Sequence, residues 1–316
     1  MKVLFISTPR APTLNIGSNG LGRHVYDFIS KFIEKDCEVT VISHPGSKFE
    51  WKSIKQYHFT DELNKGTLNS ILDIIKKEKF DAIIDNTHFK VLSMLDKNDS
   101  PILNFIHDEE CGYMPANPLL GNERQKLRYP NGKVMTTGII FKNYPLFTAK
   151  QKEDYFCFCG KLEPRKGYDI ALKASIETGI KTIFAGPDMH QAGLEFPTWV
   201  GEIRDHNIFC DFVGKSKAMY YPSRADAGGM GIWQAAALGT PTLTTTQSGA
   251  QCNVIHKETG YIAKDFKELV EYSRLIWNEP MDPERVRAEA KKNWDLDINF
   301  EEIFNLVDRL SNGERW

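Results

Sequence analysis

The sequence has 316 residues, of which 41% are hydrophobic and 26% are charged, and 40 basic against 42 acidic side chains leave a net charge of −2. This length favours two domains over one core, and the composition excludes a disordered, collagenous or disulfide-dense chain. The balanced charge excludes a basic nucleic-acid footprint spread over the whole surface.

Short apolar runs alternate with helical stretches in the first half, a pattern typical of βαβ units and parallel sheets. The predicted strands are Lys2–Ser7, Glu38–Ser43, Asp81–Asp85 and Ile102–His107, and the helices between them cover about Gly22–Lys35 and Leu68–Lys79. The first apolar run is too short for a signal peptide, and no stretch approaches about 18 apolar residues. We therefore expect a cytoplasmic protein, peripheral at a membrane at most.

The alternation of strands and helices is interrupted over residues 108–150, which are rich in Pro, Gly and Asn, and it resumes after them. The strands predicted for the second half are Tyr155–Cys159, Lys181–Ala185, Ile208–Val213, Ala218–Tyr221 and Thr242–Thr245. The helices predicted there are Gly167–Thr178, Gly229–Leu238, Phe266–Asn278, Pro283–Asn293 and Phe300–Leu310. The expected fold class is α/β, with two doubly wound Rossmann-like domains at residues 1–147 and 148–298. The helix of residues 299–316 is expected to pack back on the first domain.

A long loop, Thr8–Asn19, follows the first predicted strand and leads into Gly20 and Gly22. Glycines let the backbone approach a ligand closely, and the start of the following helix offers free N–H groups to an anion. The G-x-x-G-x-G spacing that begins at Gly17 does not fit the dinucleotide fingerprint. A flexible loop with glycines at its turns explains the same pattern.

A second loop follows the predicted strand Tyr155–Cys159 and reads GKLEPRKG over residues 160–167. It places three cations at the carboxyl end of a central strand, where α/β sheets bind ligands. Cations there would offset the charge of a diphosphate leaving group. An ordinary solvated loop is the alternative.

The third segment, residues 223–241, crowds glycines at the start of a helix of small residues, with Asp226 just before it. The Asp226 carboxylate is placed to accept hydrogen bonds from sugar hydroxyls. Gln234 lies about two helical turns further on, near the same face. An N-cap aspartate on an ordinary packed helix is the alternative.

Together, five motifs in this order resemble the retaining glycosyltransferases of family four, which have the GT-B fold. They read FDAIIDNTH, PILNFIHD, FCGKLEPRKGYDIALKA, DAGGMGIWQAAALGTPTL and SGAQCNVIHKETGYIA, after the glycine-rich loop. The resemblance covers most of the chain and is strongest from Phe158 to Ile262. It implies two domains that face a cleft and a hexose-type sugar moved from a nucleotide-sugar donor, with a UDP-sugar favoured, to a hydroxyl acceptor.

The resemblance also implies roles for matching residues. In the first domain, Gly20 and Gly22 would lie over the donor diphosphate or the reacting centre, and His107 would face the transferred sugar. In the second, Lys161 and Lys166 would hold the diphosphate. Asp226 would bind sugar hydroxyls, and Gln234 would hold the nucleotide ribose. The donor-binding backbone groups would come from Gly160, Gly228, Gly229 and Met230.

The chain departs from the family at its carboxylate pair, because Asp226 and Gln234 stand where the family has two glutamates spaced E-x7-E. Two alternatives therefore stay open: an inactive module that binds a nucleotide sugar or a partner, and a GT-B-fold sugar-nucleotide epimerase. The resemblance implies no cofactor and no metal. The DxD string Asp295-Leu296-Asp297 is better explained as a helix start, and Cys157 and Cys159 as buried thiols.

Seven cations and no acidic residue lie between Arg124 and Lys152. Such a stretch predicts an anionic acceptor, and leaves a membrane surface or a nucleic acid open as partners. A solvated lysine-rich loop is the alternative.

Overall fold

The structure is a computed structural model of the chain. It describes residues 1–8, 12–14, 20–59, 65–87, 92, 101–107, 115–187 and 198–316. The chain divides into two compact units: unit 1 contains Met1–Thr137 and Asn299–Trp316, and unit 2 contains Gly138–Ile298.

Unit 1 is built on one parallel sheet. Its described strands are β1 (Lys2–Ile6), β2 (Glu38–Ser43), β3 (Lys55–His58), β4 (Ala82–Asp85), β5 (Ile102–Ile106), β6 (Pro118–Leu120) and β7 (Lys133–Val134), and its first two helices are α1 (Gly20–Glu34) and α2 (Lys65–Glu78). The strand order is β3-β2-β1-β4-β5-β6-β7, and every pair is parallel. The order reverses at β1, which pairs with β2 on one side and β4 on the other.

Unit 2 repeats this architecture with a smaller sheet of five strands. Its described strands are β8 (Glu153–Cys159), β9 (Thr182–Ala185), β10 (Ser216–Tyr221), β11 (Thr242–Thr245) and β12 (Gly260–Ala263), and its helices are α3 (Tyr168–Thr178), α4 (His206–Gly214), α5 (Met230–Ala237), α6 (Phe266–Asn278) and α7 (Pro283–Trp294). The order β12-β11-β10-β8-β9 is again all parallel, and it reverses at β8. Ligands of doubly wound sheets bind at the carboxyl end of such a strand.

The last helix, α8 (Leu296–Ser311), belongs to unit 1 from Asn299 onwards. Its Phe300 ring meets Phe32 of α1 edge on, with the ring centroids 5.1 Å apart. Phe32 in turn contacts Phe5 of β1 at 5.3 Å. These buried rings fix the C-terminal helix against the sheet of unit 1 through its apolar face.

The division between the units falls after Thr137, whereas the sequence analysis places it near Phe147. Arg287 of α7 supplies the physical reason. Its guanidinium donates to the carbonyl oxygens of Phe141 at 3.0 Å and Tyr144 at 2.7 Å. The segment that precedes β8 is therefore held by a helix of unit 2.

One predicted element is wrong: residues 208–213 form part of helix α4 and not a strand. The Asp205 side chain accepts hydrogen bonds from the backbone N–H groups of Asn207 and Ile208 and so begins the helix. Cys210 and Val213 are buried, while Ile208 is 59% exposed. The run was ambiguous because a short apolar segment fits either period.

Four strands escaped prediction. They are β3, β6, β7 and β12, which lie at or near the edges of the two sheets. β3 reads KQYH and is largely exposed, and β7 has only two residues. Edge strands are often short and polar, so their sequences carry little of the apolar signal by which buried strands are recognised.

Lys152, which directly precedes β8, provides a test of how unit 2 is packed. Its Nζ donates to the carbonyl oxygen of Gly214 at 2.8 Å and to Thr240 Oγ1 at 2.7 Å. Burial lowers the pKa of Lys152 to about 7. Between that value and the usual lysine pKa the unfolded chain binds more protons, so this residue makes the free energy of unfolding rise with pH.

We expect Lys152→Met to remove this pH dependence. The unfolding free energy of the wild type minus that of the variant should grow between pH 7.5 and pH 9.5, by at most about 1.4 kcal/mol per pH unit. Urea unfolding at both pH values measures it, with the exposed neighbour Lys150→Met as the control. A difference that is the same at both pH values, or that shrinks as the pH rises, would contradict the packing described.

Candidate functional site

The carboxyl end of β8 is where the strand order of unit 2 reverses, and the chain leaves it through Gly160. The Gly160 N–H donates to the carbonyl oxygen of Ala185, at the end of β9, at 2.9 Å. Gly186 lies against the Gly160 peptide with φ +141°, and a Cβ there would stand 1.8 Å from the Gly160 oxygen. Only glycine fits at this approach, which brings the ends of β8 and β9 together.

The loop that follows carries the two predicted lysines. It is anchored by the buried Leu162, whose N–H donates to the carbonyl oxygen of Pro187 at 3.0 Å. Lys161 lies just before this anchor with its side chain exposed. Within the described ranges, no ion pair to Lys161 is found. Its ammonium group therefore stands at the carboxyl edge of the sheet, accessible to an anion.

The predicted site residues Lys166 and Asp226 form an ion pair. Lys166 Nζ lies 2.6 Å from Asp226 Oδ2. The same oxygen accepts a hydrogen bond of 2.7 Å from the Tyr221 hydroxyl, at the end of β10. Burial, together with the adjacent Asp226 carboxylate, raises the pKa of Tyr221 well above its usual value, so the phenol remains a donor.

Further contacts bind the lysine-bearing loop to the segment that carries Asp226. The Arg224 N–H donates to the carbonyl oxygen of Arg165 at 2.9 Å. The Arg224 guanidinium forms two parallel hydrogen bonds of 2.7 Å with Asp169 of α3, and these lower the pKa of that carboxyl. Gly167 has φ +78° and packs on the carbonyl oxygen of Pro222, where a Cβ would stand 2.1 Å away. The two loops form one preorganised edge.

The turn at Gly228 and Gly229 opens helix α5, whose first residue is Met230. Its N-cap residue is Gly229, and among the residues that the structure describes no side-chain cap is found for the first N–H groups of this helix. A Cβ on Gly229 would stand 2.5 Å from the Tyr221 ring, and one on Gly228 would stand 3.1 Å from Asn253 Nδ2. The glycines therefore allow the turn to lie directly on Tyr221, and they leave N–H groups that suit an anion.

Gln234 lies about one turn into α5 from Met230 and is partly buried. Its Nε2 donates to the hydroxyl of Tyr144 at 3.0 Å. Tyr144 belongs to the segment before β8, ninety positions away in sequence. Gln234 is therefore held in place, and it is not a mobile surface amide.

The predicted residues of unit 1 are placed as follows. Gly20 and Gly22 lie in the first turn of α1, whereas the prediction began that helix at Gly22. His107 follows β5, stacks on Phe105 with the ring centroids 5.1 Å apart, and has its Nε2 3.2 Å from Asn86 Oδ1. Gly17 lies outside the described residues.

The DxD string serves a structural purpose. Asp295 is buried at the end of α7, and its Oδ1 accepts from the N–H of Asp297 at 3.1 Å and from that of Phe141 at 3.4 Å. Asp297 pairs with Lys142 at 3.5 Å. Among the residues that the structure describes, no three His, Cys, Asp or Glu side chains are grouped as metal ligands. Cys157 is buried and lies 3.2 Å from the Ser216 hydroxyl.

The basic stretch from Arg124 to Lys152 is divided between the units. Among its cations, Lys126 pairs with Glu123 at 3.1 Å, Lys133 with Glu314 and Lys142 with Asp297. Lys152 donates to Gly214 and Thr240. These contacts reduce the net positive field of the stretch. The anionic acceptor inferred from it stays a prediction.

Sequence reasoning missed two tyrosines that organise the site, Tyr221 and Tyr144. Tyr221 ends a predicted strand at the carboxyl edge, which is a usable signal. Tyr144 lies in the irregular segment before β8, and its contact with Gln234 depends on tertiary structure alone.

Solved structures share the fold over the whole chain. AviGT4, a glycosyltransferase involved in avilamycin A biosynthesis, has a TM-score of 0.77 at 18% identity, with 100% of this chain and 99% of that chain covered. A sucrose-phosphate synthase from Thermosynechococcus elongatus has a TM-score of 0.80 at 14% identity, with 99% of this chain and 100% of that chain covered. Anabaena HepE in complex with UDP-glucose has a TM-score of 0.77 at 14% identity, with 98% of this chain and 100% of that chain covered. At such identities the likeness shows the fold, and it confirms the predicted GT-B class.

A sequence comparison shows which family the second half of the chain is similar to. Residues 145–293 match the model of the family described as glycosyl transferases group 1. The matched residues lie within unit 2, which is therefore similar in sequence to glycosyltransferase domains. The match includes the lysine-bearing loop, Asp226 and helix α5, and it confirms the predicted enzyme class. A search of curated proteins finds no significant match. Within the described part of the chain, no helix is long and apolar enough to cross a membrane.

Two nearby glycines test the packing of the turn on Tyr221. A methyl group at Gly229 would overlap the Tyr221 ring, whereas one at Gly231 would meet it at 3.4 Å, an ordinary contact. We expect Gly229→Ala to lower the free energy of unfolding by about 1–3 kcal/mol. Gly231→Ala, in the first turn of α5, should be neutral or stabilising by up to about 1 kcal/mol, because alanine has a higher helix propensity than glycine. Thermal unfolding of both variants measures this, and equal stability would contradict the close contact.

Proposed function

We propose that the chain transfers a hexose-type sugar from a nucleoside diphosphate sugar, with a UDP-sugar favoured, to a hydroxyl acceptor, with retention of configuration and without a metal. One observation carries the proposal: Lys161, Lys166 and the uncapped start of α5 all belong to the carboxyl edge of the unit 2 sheet. Two ammonium groups and a helix N-terminus form a binding site for a diphosphate.

This arrangement provides the charge stabilisation that the reaction needs. As the bond from the anomeric carbon to phosphate breaks, negative charge grows on the diphosphate, and fixed cations stabilise it. Lys166 is fixed by Asp226, so it is positioned before the donor binds. Lys161 is exposed and can turn toward the phosphate.

Asp226 has an oxygen left for the sugar. Its Oδ2 accepts from both Lys166 and Tyr221, whereas Oδ1 has no hydrogen bond among the residues that the structure describes. We propose that Oδ1 accepts from a sugar hydroxyl. The aspartate is one methylene shorter than the family's glutamate, and the Tyr221 hydroxyl helps to fix its direction.

The preference for UDP-sugars draws on relatives of the fold. Anabaena HepE has been crystallised with UDP and with UDP-glucose. Staphylococcus aureus TarM has been crystallised with UDP and a GlcNAc-glycerol. For this chain, binding measured against UDP-, GDP- and ADP-sugars decides the base. A bound donor should raise the melting temperature by mass action.

In the proposed reaction the acceptor oxygen attacks the anomeric carbon from the side of the leaving group. The bond from that carbon to the phosphate oxygen breaks, and the acceptor's proton passes to that phosphate oxygen. No protein nucleophile is required, so the chain contributes orientation and charge stabilisation. For the residues of unit 1, we propose that His107 contacts the sugar and that Gly20 and Gly22 contact the donor.

A second candidate follows from the altered pair Asp226 and Gln234. With a neutral amide at one position and an ion-paired aspartate at the other, a module that binds the donor without turning it over is the alternative. A screen for donor hydrolysis and sugar transfer separates the two, since such a module would show a thermal shift with no turnover.

We expect Lys161→Ala and Lys166→Ala each to remove about 2–4 kcal/mol of transition-state stabilisation, or roughly 10²- to 10³-fold in kcat/KM. Each variant loses one fixed charge beside the leaving diphosphate. Lys181→Ala is the matched control. Lys181 is an exposed lysine that directly precedes β9, so it lies at the amino ends of the strands of the same sheet, away from the carboxyl edge. Unchanged turnover in both site variants would contradict the proposal.

Retention and metal independence predict two further results. Proton NMR of fresh product should show the anomeric configuration of the donor, because attack and departure share one face. Turnover should persist in excess EDTA, since Lys161 and Lys166 neutralise the diphosphate. An inverted product, or loss of activity restored by Mg²⁺ or Mn²⁺, would contradict the respective claim.

A further inference from the structure

The side-chain amide of Gln234 is oriented by its surroundings. Its Nε2 donates to Tyr144, and no hydrogen-bond partner for Oε1 is found in the described part of the chain. The residue is partly buried on α5, two turns from Asp226 and its ion pair. An amide has two donors and one acceptor group, so occupying the nitrogen leaves a carbonyl oxygen to face a ligand.

Tyr144 is itself held rigidly. Arg287 of α7 donates to the Tyr144 carbonyl oxygen at 2.7 Å and also to the carbonyl oxygen of Ala237, the last residue of α5. The Phe147 N–H donates to the carbonyl oxygen of Leu238 at 3.1 Å. The segment that carries Tyr144 is thus tied to the very helix that carries Gln234, which fixes the distance between the two side chains.

The Tyr144 ring is also enclosed. It is 1% exposed within the core of unit 2, and the His206 ring packs on it edge on at 5.1 Å. His206 Nε2 lies 2.9 Å from the carbonyl oxygen of Asn143, so the histidine is fixed as well. The position of the Tyr144 hydroxyl is therefore fixed, and the Gln234 amide takes the orientation that allows the hydrogen bond to it.

We propose that Tyr144 is a positioning residue that holds the Gln234 amide with Oε1 presented to the ribose of the donor. This rests on the proposed function, which places the nucleotide at this edge. A ribose hydroxyl donates, and the oxygen that Tyr144 leaves unoccupied accepts. The amide can therefore do the work of a carboxylate at this position, but only while its nitrogen is engaged.

Binding of UDP, 2′-deoxy-UDP and 3′-deoxy-UDP tests this inference by calorimetry. A site built to accept from a hydroxyl rejects the analogue that lacks it. The wild type should bind at least one deoxy nucleotide roughly tenfold more weakly than UDP. In Tyr144→Phe that ratio should fall to about one- to threefold, through weaker binding of UDP and unchanged binding of the deoxy analogue. Gln234→Leu, which changes a partly exposed side chain, should bind UDP and the deoxy analogue equally well. The double variant with Tyr144→Phe should show the same equal binding.

Tyr155→Phe is the matched control. Tyr155 belongs to the same core cluster and is buried, and its hydroxyl donates to the carbonyl oxygen of Phe212 at 2.7 Å. The Tyr155→Phe variant loses a buried tyrosine hydrogen bond that does not involve Gln234. The ratio of its affinities for UDP and the deoxy nucleotides should therefore remain that of the wild type.

The outcomes separate this inference from the proposed function. If the wild type binds UDP and both deoxy analogues equally, or if Tyr144→Phe weakens all three alike, the positioning role is overturned and nucleotide binding stands. If UDP does not bind to the wild type, the proposed donor class fails and the inference fails with it. A ratio that survives in both Tyr144→Phe and Gln234→Leu would place the ribose contact elsewhere.

Discussion

The site depends on one carboxylate oxygen. Asp226 Oδ2 receives the Lys166 ammonium at 2.6 Å and the Tyr221 hydroxyl at 2.7 Å, and so joins the ends of three neighbouring chain segments. Lys166 comes from the loop after β8, Tyr221 from the end of β10, and Asp226 from the approach to α5. A charged hydrogen bond in a partly buried setting is stronger than a neutral one. The contact with Asp226 can therefore keep the Lys166 ammonium at the sheet edge, although solvation by water would favour a more exposed position.

Parallel topology explains why this interaction forms at all. β8 lies between β9 and β10, so the loops that leave β8 and β10 emerge side by side at the carboxyl edge. Glycines then allow close approach: Gly167 lies on Pro222, and Gly229 lies on Tyr221. A larger residue at either point would separate the loops and lengthen the ion pair. The chemistry of the site thus rests on backbone contacts that the charged residues alone do not provide.

The sequence was sufficient for most of the fold, because buried parallel strands such as β8 and β10 appear as apolar runs. It also placed the candidate residues Lys166 and Asp226 in loops at the carboxyl edge of the unit 2 sheet, where the structure brings them into contact. It failed where tertiary structure overrides local pattern. The apolar run of α4 was assigned to a strand, since the Asp205 cap was the only local sign of a helix. The pairing of Gln234 with Tyr144 left no trace in residue spacing, because segments ninety positions apart meet only in the folded core. The same pairing is the basis of our proposal for how an amide serves at this position.

The most direct test is a crystal structure with a UDP-sugar or UDP bound. We expect diphosphate oxygens within about 2.7–3.2 Å of Lys161 Nζ and Lys166 Nζ and of a backbone N–H at the start of α5. Lys166 should keep its contact with Asp226 while it binds phosphate. A nucleotide bound away from the carboxyl edge of β8, or a diphosphate that touches neither lysine, would contradict this expectation.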